Sequence, residues 1–236
     1  MVNVLPPVAQ LKRIALDLLF PRYCIGCGRE GDFICENCRS ALTSITPPIC
    51  NKCGRPLSGG RPCNRCIEEQ NEIDGIRAPF AFEGLVRQSI HKLKYQNIRA
   101  LAETFAAFLY DCLMNNVLSA DVLVPVPLHP KRLRERGYNQ SVLLARELGK
   151  LCSLPVIEDY LVRCLYTPPQ AQSSGVVERR HNIMNAFKCL DNRLWGKNVL
   201  LLDDVATSGS TLNTCARELK STGVASVWGL VLALEL

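Results

Sequence analysis

The segment Val199-Leu-Leu-Leu-Asp203-Asp204-Val205-Ala206-Thr207-Ser208-Gly209-Ser210-Thr211 constrains the fold more than any other part of the chain. Four apolar residues make a buried strand, two adjacent carboxylates stand where it ends, and a small hydroxylated loop then opens a helix. In a parallel α/β sheet the ligand crevice lies at the carboxyl ends of the strands, so both acids project into it. The loop adds backbone N–H groups and hydroxyls at a helix N-terminus, which suits a phosphate. A solvated turn with an ordinary N-cap uses the same residue types. The combination is more telling than its parts: an acidic pair for hydroxyls beside a phosphate cradle describes a site for a phosphorylated sugar.

Of the 13 cysteines, eight fall in four pairs near the start: Cys24 and Cys27, Cys35 and Cys38, Cys50 and Cys53, Cys63 and Cys66. Two residues between cysteines let a tight turn aim both thiolates at one ion, and four thiolates complete a tetrahedral Zn²⁺ shell. Segments this short and polar cannot build an apolar core, so two structural zinc ions would supply the folding energy. Sequential and interleaved ligand pairing fit the same spacings, and an iron–sulfur cluster would use the same ligands. Cys112, Cys152, Cys164, Cys189 and Cys215 are scattered in apolar contexts and read as small core residues. Paired cysteines without a secretory signal imply a reducing compartment, the cytoplasm.

Charge and hydropathy exclude some classes. The net charge is +6, and nine of the 28 basic residues but only four of the 22 acidic ones lie among the first 66. Eight zinc-bound thiolates would remove most of that excess, so bulk charge does not demand a polyanion; a local patch would have to. No apolar run approaches the ~20 residues that span a bilayer. Residues 8–20 have helical hydrophobic spacing with Lys12, Arg13 and Asp17 inside it, which fits an amphipathic helix rather than a signal peptide. The expected organisation is this helix over 1–22, a double zinc ribbon over 23–68, and an α/β domain over 76–236.

Inside that domain, residues 76–83 read as a strand and 85–95 and 99–117 as helices; Lys94 and Tyr95, closing the first, either face a ligand or, as is commoner, leave the lysine snorkelling at a helix end. Asp121 to His129 is a buried strand whose end is marked by Pro125 and Pro127. The stretch after it, with Lys131, Arg132, Arg134 and Arg136, reads as a basic loop suited to pyrophosphate or a nucleic-acid backbone, before a helix from about 139 to 150. A long polar segment from Arg163 through Thr167 and Gln170 to Arg180 and Asn182 has the composition of a working lid.

With these regions together, the chain resembles the ComF family of competence-associated phosphoribosyltransferase-like proteins. The resemblance is carried by the paired-cysteine head, the block Val124-Pro-Val-Pro-Leu-His-Pro-Lys-Arg-Leu-Arg-Glu-Arg-Gly-Tyr-Asn-Gln140, the lid residues and the terminal signature. It implies a type I phosphoribosyltransferase fold: an α/β domain with a mostly parallel central sheet flanked by helices, a small hood and an N-terminal zinc-ribbon head. It implies that Asp203 and Asp204 hold the ribose hydroxyls of phosphoribosyl pyrophosphate (PRPP), and that Ala206, Thr207, Ser208, Gly209, Ser210 and Thr211 cradle its 5′-phosphate. Lys131, Arg132, Arg134 and Arg136 would meet pyrophosphate or a DNA backbone. Mg²⁺ would accompany PRPP, and Arg163 and Arg180 would act as catalytic residues closing over the site. The implied role is DNA uptake in natural transformation, with single-stranded DNA and other competence proteins as partners.

Two functions follow: transfer of phosphoribosyl to an acceptor, or non-catalytic PRPP and DNA binding. A bare protein–protein zinc module ranks third. The 15 aromatic residues are not expected to cluster with the arginines as base-stacking platforms would. Purine-salvage transferases for 6-oxopurines carry an aspartate where Thr207 stands. Purified protein is therefore expected to turn over neither hypoxanthine nor guanine with PRPP, and consumption of either base would overturn this reading.

Overall fold

The computed structural model describes residues 21–57, 62–69, 71–116, 118–165 and 186–236. The chain divides into two compact units, Met1–Leu42 and Thr43–Leu236. The helix expected over 1–22 lies outside the described residues but for its last two.

In the first unit the chain folds around Cys24, Cys27, Cys35 and Cys38. Tyr23 and Glu30 form an antiparallel bridge, and the short helix α1 (Glu36–Arg39) follows Cys35. Gly28 takes a φ of 74° and donates its N–H to the Cys24 carbonyl at 2.8 Å. That positive φ is why glycine follows the pair.

The second unit holds the other cysteine knuckle, with helix α2 (Asn64–Glu68), and the α/β domain. The sheet comprises β1 (Gly75–Arg77), β2 (Phe80–Ala81), β3 (Val122–Pro125), β6 (Asn198–Ala206) and β7 (Ser226–Leu234), all paired in parallel. The order runs β1-β7-β6-β3, with β2 continuing β1 along β7. Pro79 separates β1 from β2, so the strand expected over 76–83 is two short pieces. A separate antiparallel pair, β4 (Leu161–Arg163) and β5 (Phe187–Cys189), forms the small hood.

Strand β6 is central. Val199 to Leu202 are all essentially inaccessible, as a strand covered on both faces requires. Val199 and Leu201 join Leu212, Cys215, Ala216 and Leu219 of helix α7 (Ser210–Ser221), with Tyr160, Leu161 and Phe187, in one core cluster. Helices α4 (Leu101–Asn116) and α6 (Gln140–Cys152) pack on each other, α6 over β3 and β6 and α4 over β7. Helix α3 (Gly84–Tyr95) buries Val86, Ile90 and Leu93, the positions its spacing predicts.

One expected loop is a helix. Residues 130–136 form α5 (Pro130–Arg136), starting with proline in its first turn and ending on Gly137 at φ 79°. His129 is its cap: Nδ1 accepts the Lys131 N–H at 3.2 Å. Start and stop signals of this kind suffice for two turns even though none of its residues is buried.

Because Leu201 is fully enclosed in the central strand, Leu201→Ala should lower the unfolding free energy by about 2–5 kcal/mol. In urea titration this appears as a lower midpoint at unchanged slope.

Candidate functional site

The acids lie inside β6, not after it. Asp203 is in register with Val231 of β7, and the strand runs on to Ala206, itself in register with Leu234 and buried. Asp204 is 3% exposed, and its Oδ2 meets Lys94 Nζ at 2.9 Å. Asp203 is half-buried; its Oδ1 accepts from Ser141 Oγ and from the Asp204 N–H, each at 2.9 Å. Burial, then the neighbouring Asp204 charge, pushes the Asp203 carboxyl up to about 7, against the opposing pull of Lys94, the Asp204 N–H and Ser141. Burial alone would lower the Lys94 ammonium, but Asp204 more than offsets it and holds Lys94 above its ordinary value.

Several residues fix these partners. Asn139 caps α6 by accepting the Ser141 N–H at 2.9 Å, and its Nδ2 donates to the Val126 carbonyl at 3.0 Å. This aims Ser141, completely buried, at Asp203. Tyr138 donates its hydroxyl proton to the Leu93 carbonyl, securing the end of α3 one residue before Lys94. The Gly-Tyr-Asn-Gln-Ser stretch thus aligns the acidic pair without belonging to the ligand surface. Sequence reading singles out neither Ser141 nor Tyr138 for this role, and leaves Lys94 between a ligand-facing residue and a snorkelling helix-end lysine; the structure gives it to Asp204. A serine at the second position of a helix carries no signal of a carboxylate partner 62 residues away.

After Ala206 the chain makes the loop that feeds α7. Thr207 and Ser208 are exposed, and Gly209, at φ 80°, is the N-cap position. Ser208 Oγ lies 2.7 Å from Ser210 Oγ and accepts the Ser210 N–H at 3.3 Å. A side chain at 209 would be strained by that φ and would meet Ile76 at 3.2 Å. Loop hydroxyls and first-turn amides therefore collect at the carboxyl end of β6, beside the acidic pair.

The structure also brings the hood toward this end. Arg163 on β4 stacks 5.3 Å from the Phe187 ring centroid. Burial, then the charge of Arg132 on α5, lowers the Arg163 pKa, while Asp203 acts in the opposite sense. Arg136 turns elsewhere, donating to Gln140 and lying 5.4 Å from the Tyr95 ring centroid. Tyr95 is 64% exposed and also stacks on His91. An exposed aromatic paired with arginine therefore exists; its partners stand 41 positions apart, beyond the reach of a local scan. Lys131 and Arg134 are exposed on α5. Arg180, like Thr167, Gln170 and Asn182, lies outside the described residues.

The eight paired cysteines form two clusters. Cys24, Cys27, Cys35 and Cys38 make one, and Cys50, Cys53, Cys63 and Cys66 the other, the ligand atoms of each lying within 4.8 Å of one another. Pairing is thus sequential. Backbone N–H groups point at sulfur, Cys35 to Cys24 Sγ at 3.4 Å and Cys63 to Cys50 Sγ at 3.3 Å. Burial alone would raise the Cys24 and Cys50 thiols, but such donors outweigh it and bring each down to about 6. Four close sulfurs with amide donors fit a thiolate-bound zinc ion. Among the described residues, no helix is long and apolar enough to cross a membrane.

Comparison with known proteins gives three kinds of similarity. The double zinc ribbon domain family matches residues 15–67. Competence protein F of Haemophilus influenzae is 31% identical over 210 residues, spanning 85% of this chain and 90% of its own. Competence protein ComFC of Bacillus subtilis is 31% identical over 205 residues, 82% and 80% of the two chains. DNA utilization protein YhgH of Escherichia coli K12 is 29% identical over 204 residues, 82% and 87%. Among solved structures, a purine phosphoribosyltransferase from Pyrococcus horikoshii aligns with 56% of this chain and 73% of its own, at 19% identity and TM-score 0.34. The glutamine PRPP amidotransferase of B. subtilis aligns with 56% of this chain and 26% of its own, at 16% identity and TM-score 0.39.

Two outcomes are expected. Metal analysis of purified protein should find about two zinc ions per chain, falling to about one in Cys27→Ser, as four-thiolate sites require. Lys94→Met strands a buried carboxylate and should cost about 3 kcal/mol at neutral pH. Adding Asp204→Asn to that variant should restore part of the loss in urea titration.

Proposed function

The chain belongs to the ComF family of competence proteins, and from that premise we propose that it binds PRPP at the carboxyl end of β6 and acts in the use of incoming DNA. One observation carries the reading. Two carboxylates, one held by Lys94 and the other by Ser141, stand directly before a hydroxyl-rich loop at the N-terminus of α7. Asp203 and Asp204 would accept from the ribose 2′- and 3′-hydroxyls. The amides and hydroxyls of Thr207 to Thr211 would donate to the 5′-phosphate, which the helix dipole favours.

Arg132 and Arg163 supply the positive charge that a pyrophosphate needs. Mg²⁺, whose ligands here would be the acidic pair and the substrate's own oxygens, would offset charge on the pyrophosphate. Transfer at this site would break the bond from ribose C1 to a pyrophosphate oxygen and form one from C1 to the acceptor's nucleophile. The electron pair would leave with pyrophosphate. Arg163 and Arg180 would stabilise that leaving charge.

A second reading has its own support. Tyr95, exposed and paired with Arg136, together with the cations of α5, offers a stacking and phosphate surface for single-stranded DNA. The relatives named for competence and DNA utilization agree with such a role. The two readings separate experimentally. DNA affinity should fall steeply with salt and survive Asp203→Asn/Asp204→Asn, but weaken in Lys131→Ala/Arg132→Ala/Arg134→Ala.

Calorimetric titration with PRPP, with and without Mg²⁺, tests the first reading. Mg²⁺-dependent binding that disappears in Asp203→Asn/Asp204→Asn is expected; absence of binding at millimolar PRPP would refute it. Because the Asp203 carboxyl is raised to about 7, it takes up a proton as pH falls through that value and ceases to be a full acceptor. PRPP affinity should therefore weaken from about pH 8 to about pH 6, with a flatter profile in Asp203→Asn.

A further inference from the structure

The second cysteine knuckle lies in the same compact unit as the α7 loop and touches it directly. Arg55, two residues after Cys53, donates through Nη2 to the Thr207 carbonyl and through Nε to the Glu235 carbonyl at 3.0 Å. Arg65, between Cys63 and Cys66, donates through Nη2 to the Ser208 carbonyl at 3.2 Å. A loop that offers its amides to an anion must turn carbonyls outward, and outward carbonyls need donors of their own. Arg55 and Arg65 meet that need for two successive peptides.

The knuckle is seated to do this. The Ile76 N–H donates to the Lys52 carbonyl at 2.7 Å, so the turn extends the edge of β1. A side-chain atom at Gly54 would stand 2.5 Å from the Ile76 carbonyl oxygen, a distance only glycine permits. Asn213 of α7 accepts the N–H groups of Glu72 and Ile73 at 2.7 and 3.2 Å, holding the chain that leads out of the knuckle. The two arginines ride on different cysteine pairs, Arg55 beside Cys53 and Arg65 between Cys63 and Cys66. The Cys63 N–H to Cys50 Sγ bond links those pairs, and a metal ion shared by the four sulfurs would fix them relative to each other.

We propose that Arg55 and Arg65 are positioning residues that hold the 207–211 loop in its anion-binding conformation, so that metal occupancy of Cys50, Cys53, Cys63 and Cys66 sets how well the loop receives a phosphoryl group. The proposal rests on the reading of that loop as the 5′-phosphate site. It makes the second zinc site part of the ligand site, although no cysteine would touch the ligand.

The test compares wild type, Arg55→Met/Arg65→Met, the milder Arg55→Lys/Arg65→Lys, and Asp203→Asn/Asp204→Asn. Zinc content, ligand-free amide hydrogen exchange of Thr207 to Thr211, and PRPP affinity are measured on each. With zinc content unchanged, the methionine variant should exchange these amides about tenfold faster and bind PRPP about tenfold more weakly, the loss expected for charged hydrogen bonds. The lysine variant should fall between, and serves as the folded comparison if the methionine variant misfolds. The acidic-pair variant should lose PRPP yet exchange as wild type does. Loop exchange within about twofold of wild type in both arginine variants would overturn the proposal. If wild type binds no PRPP, the phosphate reading fails while exchange still decides whether the arginines hold the loop.

Discussion

The parallel pairing of β6 between β3 and β7 is the constraint on which the rest of the second unit depends. A strand hydrogen-bonded on both sides and covered on both faces has no freedom to slip, because a one-residue shift would carry every side chain to the other face. That fixity reaches the carboxylates, since Asp203 and Asp204 are strand residues. Their geometry is set by the ladder, and the loop after Ala206 starts from a rigid edge.

Charge at the site is balanced before any ligand arrives. Two adjacent acids in a partly dry crevice repel each other, and the fold resolves this by giving Asp204 an ammonium and Asp203 a hydroxyl and an amide. The partners come from α3 and α6, tied in turn by Tyr138 to Leu93 and by Asn139 to Val126.

Much of this was legible from residues alone, and the reasons differ by region. The apolar run, the acid pair and the small loop are contiguous, so their order along the chain is their order in space. The cysteine clusters were visible from spacing, although the choice of sequential pairing needed coordinates. Residues 130–136 were misread because a helix with no buried face has no periodicity to detect; only Pro130 and Gly137 marked its ends. The partners of Ser141, Lys94 and Tyr95 are illegible for another reason: each acts on a group far away in sequence, and nothing local records it. The contact of Arg55 with Thr207 spans 152 positions and belongs to the same class.

The two knuckles are near copies as local structures. Each carries a glycine after its second cysteine, at φ 74° and 73°, bonded to the carbonyl of its first. Their surroundings differ: among the described residues nothing lies within 4 Å of a side-chain atom placed at Gly28, whereas Gly54 stands against Ile76. Mutational drift therefore has unequal room in them. At 28 asparagine, which tolerates a left-handed backbone, can stand in for glycine; at 54 no L-residue can, because the space itself is taken. Position 28 has room to vary among the described residues, while position 54 is held to glycine by what leans on it.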